Sequence, residues 1–368
     1  MKYKLNEIIT EYTEKNTDNL YQPVAVGKYG IRQRSDIYKK ELAKDYSKNK
    51  VIKQDTMIIG MGSTQIDFGV LSDNKVYSVS PAYHTFKINT SIVKSDFFAL
   101  LLKAKNEILT RKYMIASARQ GKSVNLKEMV LEEVIIPDFD TQQQIIERVS
   151  SINNLISIEK NRIALFDELV KSRFIEMFEG KYPTIKIGEK FTTTSGGTPL
   201  KSHKEFYDNG DIPWLTSGEV NSGIITSVKN RITKLGLEKS SAKLVPQNSV
   251  VVAMYGATAG KVGLLTIPST TNQAVCSVLP NDDYLPMFVY RAMEFKSEEM
   301  ADRASGGAQS NISQGIVRDT EIYNAPLCVQ KEFVSFAEQI DKSKFIIQNR
   351  IKLLEELLNT KMYDYFVE

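Results

Sequence analysis

Residues 141–179, TQQQIIERVSSINNLISIEKNRIALFDELVKSRFIEMFE, align without a gap onto residues 329–367, VQKEFVSFAEQIDKSKFIIQNRIKLLEELLNTKMYDYFV, at a constant offset of 188. Ten positions are identical, among them Gln142 and Gln330, Asn161-Arg162-Ile163 and Asn349-Arg350-Ile351, and Glu168-Leu169 and Glu356-Leu357. The segments upstream echo each other as well. Gln54-Asp55-Thr56-Met57-Ile58-Ile59 resembles Gln247-Asn248-Ser249-Val250-Val251-Val252, and Ala116-Ser117 through Val124-Asn125 resembles Ala304-Ser305 through Ile312-Ser313. An internal repeat of this length decides the architecture: globule, long helix, globule, long helix.

The helical reading rests on periodicity. Ile145, Val149, Ile152, Ile156, Ile163, Phe166, Val170 and Met177 keep an alternating four-three spacing, as do Phe333, Ala337, Ile340, Ile347, Ile351, Leu354 and Leu358, and no Pro or Gly interrupts either run. Glu159 and Arg173, and Lys344 and Lys361, fall on the seam, where charge is costly unless paired or exposed; Glu159 and Lys344 are expected to meet. Two apolar stripes are most economically buried against each other as an antiparallel coiled coil, with room left for further partner helices. The alternative is that each helix packs on its own globule. At about 1.5 Å per residue each helix spans roughly 50 to 60 Å.

Working outward, residues 1–137 and 181–326 form the two globules, and 138–180 and 327–368 the helices. Lys53 to Gly62 and Lys243 to Gly256 read as β-branched strands, Ser95 to Thr110 and Pro286 to Glu299 as helices, so each globule is mixed α and β and the chain α+β with a pseudo-two-fold repeat. A length of 368 residues with 42% hydrophobic, 9% aromatic and 25% charged residues suits two to three ordinary globular domains and rules out global disorder. Two cysteines are too few for a disulfide framework, the N-terminal MKYKLNEIITEYTEK has no apolar signal core, and the longest apolar run, Val250 to Tyr255, is strand-sized. The expectation is a cytoplasmic chain that does not cross a membrane.

Net charge is only +4, but positive charge is concentrated. Residues 1–53 carry twelve Lys/Arg against seven Asp/Glu and residues 181–261 eleven against six, whereas the two repeat helices are nearly neutral. Basic excess on both globules is what two nucleic-acid-binding surfaces would show, and equally what chance on solvated faces can give. Enzyme chemistry finds little support. His84 and His203 have no companions at metal-ligand spacing, and Gly256-Ala-Thr-Ala-Gly260-Lys261-Val262 has three residues between its glycines and Val after its lysine, where a phosphate-binding loop needs four and Ser/Thr. No two of the eleven prolines adjoin, so the Pro-Pro-aromatic signature of amino-methyltransferases is missing; Pro137-Asp138 with Glu179-Gly180-Lys181 is too short and too split to read as a nuclease.

Recognition fits the residue types better: Arg for guanine edges, Asn and Gln for adenine, Ser and Thr for phosphates, Lys for affinity. Gly27-Lys-Tyr-Gly-Ile-Arg32-Gln33-Arg34-Ser35 offers such a set on a turn, which is equally compatible with a solvated hairpin. Further on, Ser195-Gly-Gly-Thr-Pro199, Gly210-Asp-Ile-Pro-Trp214-Leu-Thr-Ser-Gly218-Glu, Tyr255-Gly-Ala-Thr-Ala-Gly260, Thr271-Asn-Gln-Ala274 and Gly306-Gly-Ala-Gln-Ser-Asn-Ile312-Ser follow one another. In order and spacing they resemble the target recognition domain of the DNA specificity subunit of Type I restriction-modification systems. The likeness extends over the whole chain, since that family alternates two such domains with two long helices. The first domain departs from the pattern, with Gly30-Ile-Arg32 and Gly62-Ser-Thr-Gln65 in place of the Gly-Gly-Thr-Pro and Pro-Trp-Leu strings.

The resemblance implies a non-catalytic adaptor. It would read two unlike halves of an asymmetric site in double-stranded DNA and carry two methyltransferase subunits that bind S-adenosylmethionine. Restriction subunits using ATP and Mg would join where present. The helices would set the gap, and the seam residues named above would pack them. The candidate DNA contacts are Arg32, Gln33, Arg34, Ser63, Thr64, Gln65, Arg119 and Lys122 in the first domain. In the second they are Thr198, Lys201, Trp214, Thr216, Ser217, Tyr255, Thr258, Lys261, Gln309 and Asn311, Trp214 the least secure because a lone tryptophan beside Pro213 is more often core. The rival reading from another class is an assembly scaffold that binds proteins without sequence-specific DNA readout.

Overall fold

The computed structural model describes residues 1–28, 30–36, 45–116, 121–304 and 311–367, with the side chains of Ser35, Asn221 and Ser222 left aside. Arg119 and Gln309, both candidate contacts, lie outside the described residues. The chain divides into two compact units, residues 1–161 with 348–368, and residues 162–347. The division falls inside both long helices, Phe139–Phe178 and Leu327–Phe366, each 40 residues long. Each unit therefore holds one globule, the first part of the helix that follows it and the last part of the other helix.

In unit 1 the sheet runs Ile9–Glu11, His84–Ile88, Thr56–Met61, Ile66–Leu71, all antiparallel, with the hairpin Val24–Gly27 and Gly30–Gln33 beside it. Helix Ser95–Tyr113 is pinned to the Ile66 strand: Asn106 Nδ2 donates to Ile66 O at 2.9 Å and Ile66 N to Thr110 Oγ1 at 3.1 Å. Leu5, Met57, Ile59, Phe97, Phe98 and Leu101 form the core. Ile145 and Val149 of the first long helix close it from one side, Met362 and Phe366 of the second from another.

Unit 2 repeats the plan. Its larger sheet runs Thr193–Ser195, Val275–Val278, Val250–Ala253, Val262–Leu265, Ile224–Ile225, and a second sheet runs Arg231–Ile232, Ile212–Leu215, Ser269–Thr271, Leu244–Val245. The strand expected over 243–256 is split at Pro246, which has no N–H to give a ladder, and at Asn248 in the left-handed region. The same corner exists in unit 1. Asp55 (φ 62°) donates its N–H to Leu71 O and Asn248 (φ 70°) to Leu265 O, both at 2.7 Å, so the repeated Gln-Asp/Asn pair is a turn with a mechanism, Asp and Asn being the residues that best tolerate that conformation. Pro286–Phe295 is helical as expected, but a break at Lys296 separates it from Ser297–Asp302.

Along the long helices Ile145, Val149, Ile156, Val170, Met177, Phe333, Ala337, Ile347 and Ile351 are buried, and Ile152, Ile163, Phe166, Ile340, Leu354 and Leu358 half-buried. Within unit 1, Lys160 pairs with Glu355 at 2.8 Å and Arg148 approaches Tyr365 Oη at 3.4 Å; within unit 2, Arg173 pairs with Glu332 at 3.0 Å. Glu159, expected to meet Lys344, accepts from Arg350 Nη1 at 2.7 Å, and Lys344 donates to Asp167. From Arg148–Tyr365 to Lys160–Glu355 in unit 1, and from Asp167–Lys344 to Arg173–Glu332 in unit 2, the numbers rise on one helix as they fall on the other.

Candidate nucleic-acid interface

In unit 2 the motif strings, distant in sequence, are laced together by backbone hydrogen bonds. Gly197 N donates to Thr271 O at 2.9 Å, Asn272 N to Leu215 O at 2.9 Å, Met254 N to Ala274 O at 2.8 Å and Ile312 N to Met254 O at 2.8 Å. Thr258 Oγ1 closes the set on Ser217 O at 3.1 Å, and Thr198 Oγ1 donates to Gln273 Oε1. The Gly-Gly pair is dictated by this approach. A Cβ on Gly196 would lie 1.9 Å from Thr271 O and one on Gly197 2.2 Å from Ser241 Oγ, distances no side chain tolerates.

The rim so assembled is polar and accessible. Tyr255 is 42% exposed, Lys201, Lys261 and Asn311 are exposed, and Thr198, Thr216, Ser217 and Thr258 are half-buried, the three threonine hydroxyls engaged at the edge. Thr216 is held by Glu219, whose Oε2 accepts from its Oγ1 at 3.1 Å while Oε1 accepts from Lys229 N at 2.9 Å. Trp214 is a correction. It is 8% exposed, donates Nε1 to Gly197 O at 3.0 Å and meets Tyr207 edge-on at 5.8 Å, so it holds the Gly-Gly turn from inside and presents no ring to a ligand. Sequence reasoning quoted Gln273 without selecting it; its exposed amide, on the rim beside Thr198, belongs to the set.

Unit 1 assembles its candidates differently. Arg32, Gln33 and Gln65 line one cleft of about 1060 Å³ between the Gly30–Gln33 strand, the Ile66–Leu71 strand and helix Ser95–Tyr113, together with Lys28, Lys103 and Asn106, which the sequence reading did not single out. Ser63 and Thr64 are exposed on the turn that Gly62 N closes on Gln65 O at 2.9 Å, and Lys122 Nζ donates to Ser63 O at 2.8 Å. Arg34 sits over the Tyr46 ring at 5.8 Å. Gln65 Nε2 donates to Asp67 Oδ1 at 3.2 Å, and burial pushes the Asp67 carboxyl above the ordinary carboxylate range. Among the described residues no group of three or more His, Cys, Asp or Glu is placed to hold a metal ion, and no helix is long and apolar enough to cross a membrane.

The sequence profile of the Type I restriction modification DNA specificity domain matches residues 1–165 and 179–357. Among curated relatives, the specificity subunit of the Type I restriction enzyme EcoR124I/EcoR124II of Escherichia coli is 24% identical over 229 residues, 61% of this chain and 56% of that protein. The HindI specificity subunit of Haemophilus influenzae is 31% identical over 176 residues, 45% of this chain and 38% of that protein. The chain thus matches about half or less of the length of these relatives. A chain from a solved structure on complex assembly and conformational transition of the type I R-M system covers 98% of this chain and 96% of its own length, with a TM-score of 0.64 at 14% identity, a likeness of fold. With both halves matched by the one domain, this chain belongs to the Type I restriction-modification DNA specificity family.

Proposed function

We propose that the chain is the non-catalytic DNA-recognition subunit of a Type I restriction-modification complex. Each globule reads one half of an asymmetric bipartite site, and the long helices, as an antiparallel coiled coil, set the gap and dock methyltransferase subunits. The observation that carries this is the lacing of five separate segments into one rim of hydroxyls, amides and lysines in unit 2, the side-chain chemistry that base edges and phosphates require. The cleft in unit 1, with Arg32, Gln33 and Gln65, supplies a different set, so two unlike half-sites are expected.

Docking is supported by a second apolar stripe outside the seam. In unit 1 Leu155, Ile158, Leu353 and Leu357 are exposed, and in unit 2 Leu165, Leu169, Phe345 and Ile346. Exposed apolar surface of this kind marks a partner-binding face. On this reading S-adenosylmethionine belongs to the methyltransferase partners, and ATP with Mg to restriction subunits where these join. The assembled complex should bind its duplex with an affinity that falls at least about tenfold between 50 and 200 mM salt, and Lys261→Ala should flatten that dependence for all sequences alike. An affinity indifferent to salt would favour the protein-scaffold reading.

A further inference from the structure

Gln142 and Gln330, identical positions of the repeat, are both fully buried in the first turn of their long helices. Each makes the same three hydrogen bonds. Gln142 Oε1 accepts from Lys94 N at 2.7 Å, and its Nε2 donates to Ile92 O at 3.2 Å and Pro137 O at 2.9 Å. Gln330 Oε1 accepts from Leu285 N at 2.8 Å, and its Nε2 donates to Asp283 O at 3.0 Å and Ala325 O at 2.8 Å. Lys94 and Leu285 are the N-cap residues of Ser95–Tyr113 and Pro286–Phe295, and neither cap is closed by its own side chain. The amide of the long helix takes one of the backbone N–H groups that such a helix start leaves without a partner.

The core clusters hold helix to globule, but apolar burial is non-directional and leaves rotation loosely specified. A planar amide with one acceptor and two donors ties three backbone groups of two segments, two in the lead into the domain helix and one in the chain before the long helix, to the long helix that carries it. Neutral side chains with that inventory are Gln and the shorter Asn; Glu lacks the donors, and Met has no donor and only a weak sulfur acceptor. Resting on the recognition reading above, we propose that Gln142 and Gln330 are positioning residues that lock each recognition domain at one orientation on its long helix, and so confine the two half-sites to a single gap.

The test is the full chain with its methyltransferase partner in cells, carrying Gln142→Met, Gln330→Met or both, with methylated adenines mapped genome-wide and hydrogen exchange followed on the purified complex. Both half-site sequences should persist, while the share of methylated sites whose gap differs from the parental value rises roughly fivefold. Exchange at the Leu285 amide should quicken in Gln330→Met with Lys94 unaffected, and the reverse in Gln142→Met. An unaltered gap in a variant that still methylates overturns the proposal, because a merely structural amide lowers stability and occupancy without widening the gap. Where the Met variants do not accumulate, Gln330→Asn, which keeps the amide one carbon short, is read by the same two outcomes. A parental chain that marks no two-part site speaks against the recognition reading itself; unchanged exchange at Leu285 would then still refute the lock.

Discussion

The second unit seats its long helices in aromatic rings and the first in aliphatic side chains. Phe174, Phe178, Phe288 and Phe333 cluster with centroids 4.9 to 6.5 Å apart, whereas unit 1 has Phe97 against Phe366 at 5.2 Å, with Ile145, Val149 and Met362 completing the seat. At the repeat offset Ile145 stands for Phe333 and Met362 for Phe174. The stripe is kept and its volume redistributed, as expected where the apolar pattern decides that a helix docks and side-chain shape decides how tightly. Polar ties differ in the same way. Arg291, 11% exposed, bonds Glu294 at 2.7 Å and reaches Asp341 on the second long helix; counted from the N-cap and along the repeat, Leu100 and Asn153 occupy those places in unit 1. In the hairpins, Asp67 stands where unit 2 has Lys261 when Leu71 is matched to Leu265.

The contrast can be broken by mutation. Phe178→Ala should lower the stability of unit 2 by about 3–5 kcal/mol, and Phe366→Ala that of unit 1 by about 3 kcal/mol or less, because fewer rings close around it. Cys276 reports the first: burial pushes its thiol up to about 12, so at pH 8 it is protonated and shielded until unit 2 opens, while exposed Cys328 reacts at once. Pulsed thiol labelling in denaturant for unit 2, and hydrogen exchange of strand Thr56–Met61 for unit 1, measure the difference. Equal losses would mean that ring packing is not what distinguishes the seats.

Arg291→Met should cost unit 2 about 1–3 kcal/mol, leaving Asp341 and Glu294 without their guanidinium, whereas Asn153→Ala, on an exposed face, should stay within about 0.5 kcal/mol; thiol labelling and hydrogen exchange again separate the units. Arg32→Ala should weaken specific binding by about 1–3 kcal/mol if the guanidinium reads guanine, relaxing one half-site, and Gln273→Ala should relax only the other. Competition among duplexes varied in one half at a time would show it. Relaxation of both halves by either variant would deny that the units read independently.

The smallest effect is electrostatic. The raised Asp67 carboxyl is protonated more readily folded than unfolded, so its stabilising contribution is complete below the ordinary carboxylate pKa and is lost as pH rises through the raised value. At neutral pH Asp67 therefore weakens unit 1, and Asp67→Asn should stabilise that unit there and remove the loss of stability as pH rises from the ordinary carboxylate range to neutrality. Hydrogen exchange over residues 56–71 across that range measures it, and an unchanged profile would place the burial cost elsewhere.

Much of the architecture was legible because it is written locally. Period and repeat mark the long helices, whereas the corners at Asp55 and Asn248 were not legible: each β-branched run read as one strand, and only the left-handed backbone at those residues breaks it. The interface was legible as residue types and not as a place. That Thr258 rests on Ser217, or that Asn272 meets Leu215, depends on strand order, which no spacing encodes. Trp214 entered the contact set through the Pro-Trp-Leu string of the resemblance, although a lone tryptophan beside a proline is more often core; its indole N–H found a backbone carbonyl inside. Which charge faces which depends on helix stagger: Glu159 took Arg350, and Lys361 pairs within its own helix with Asp364.

Mapping methylated adenines across the genome with and without this chain tests the central claim most directly. Two unlike half-sites at one fixed separation, methylated only when the chain is present, is the predicted result, and four residues inserted near Lys160 should then lengthen the helix by about 6 Å and change the separation alone. Adenine methylation identical with and without the chain, or confined to one uninterrupted symmetric sequence, would contradict it.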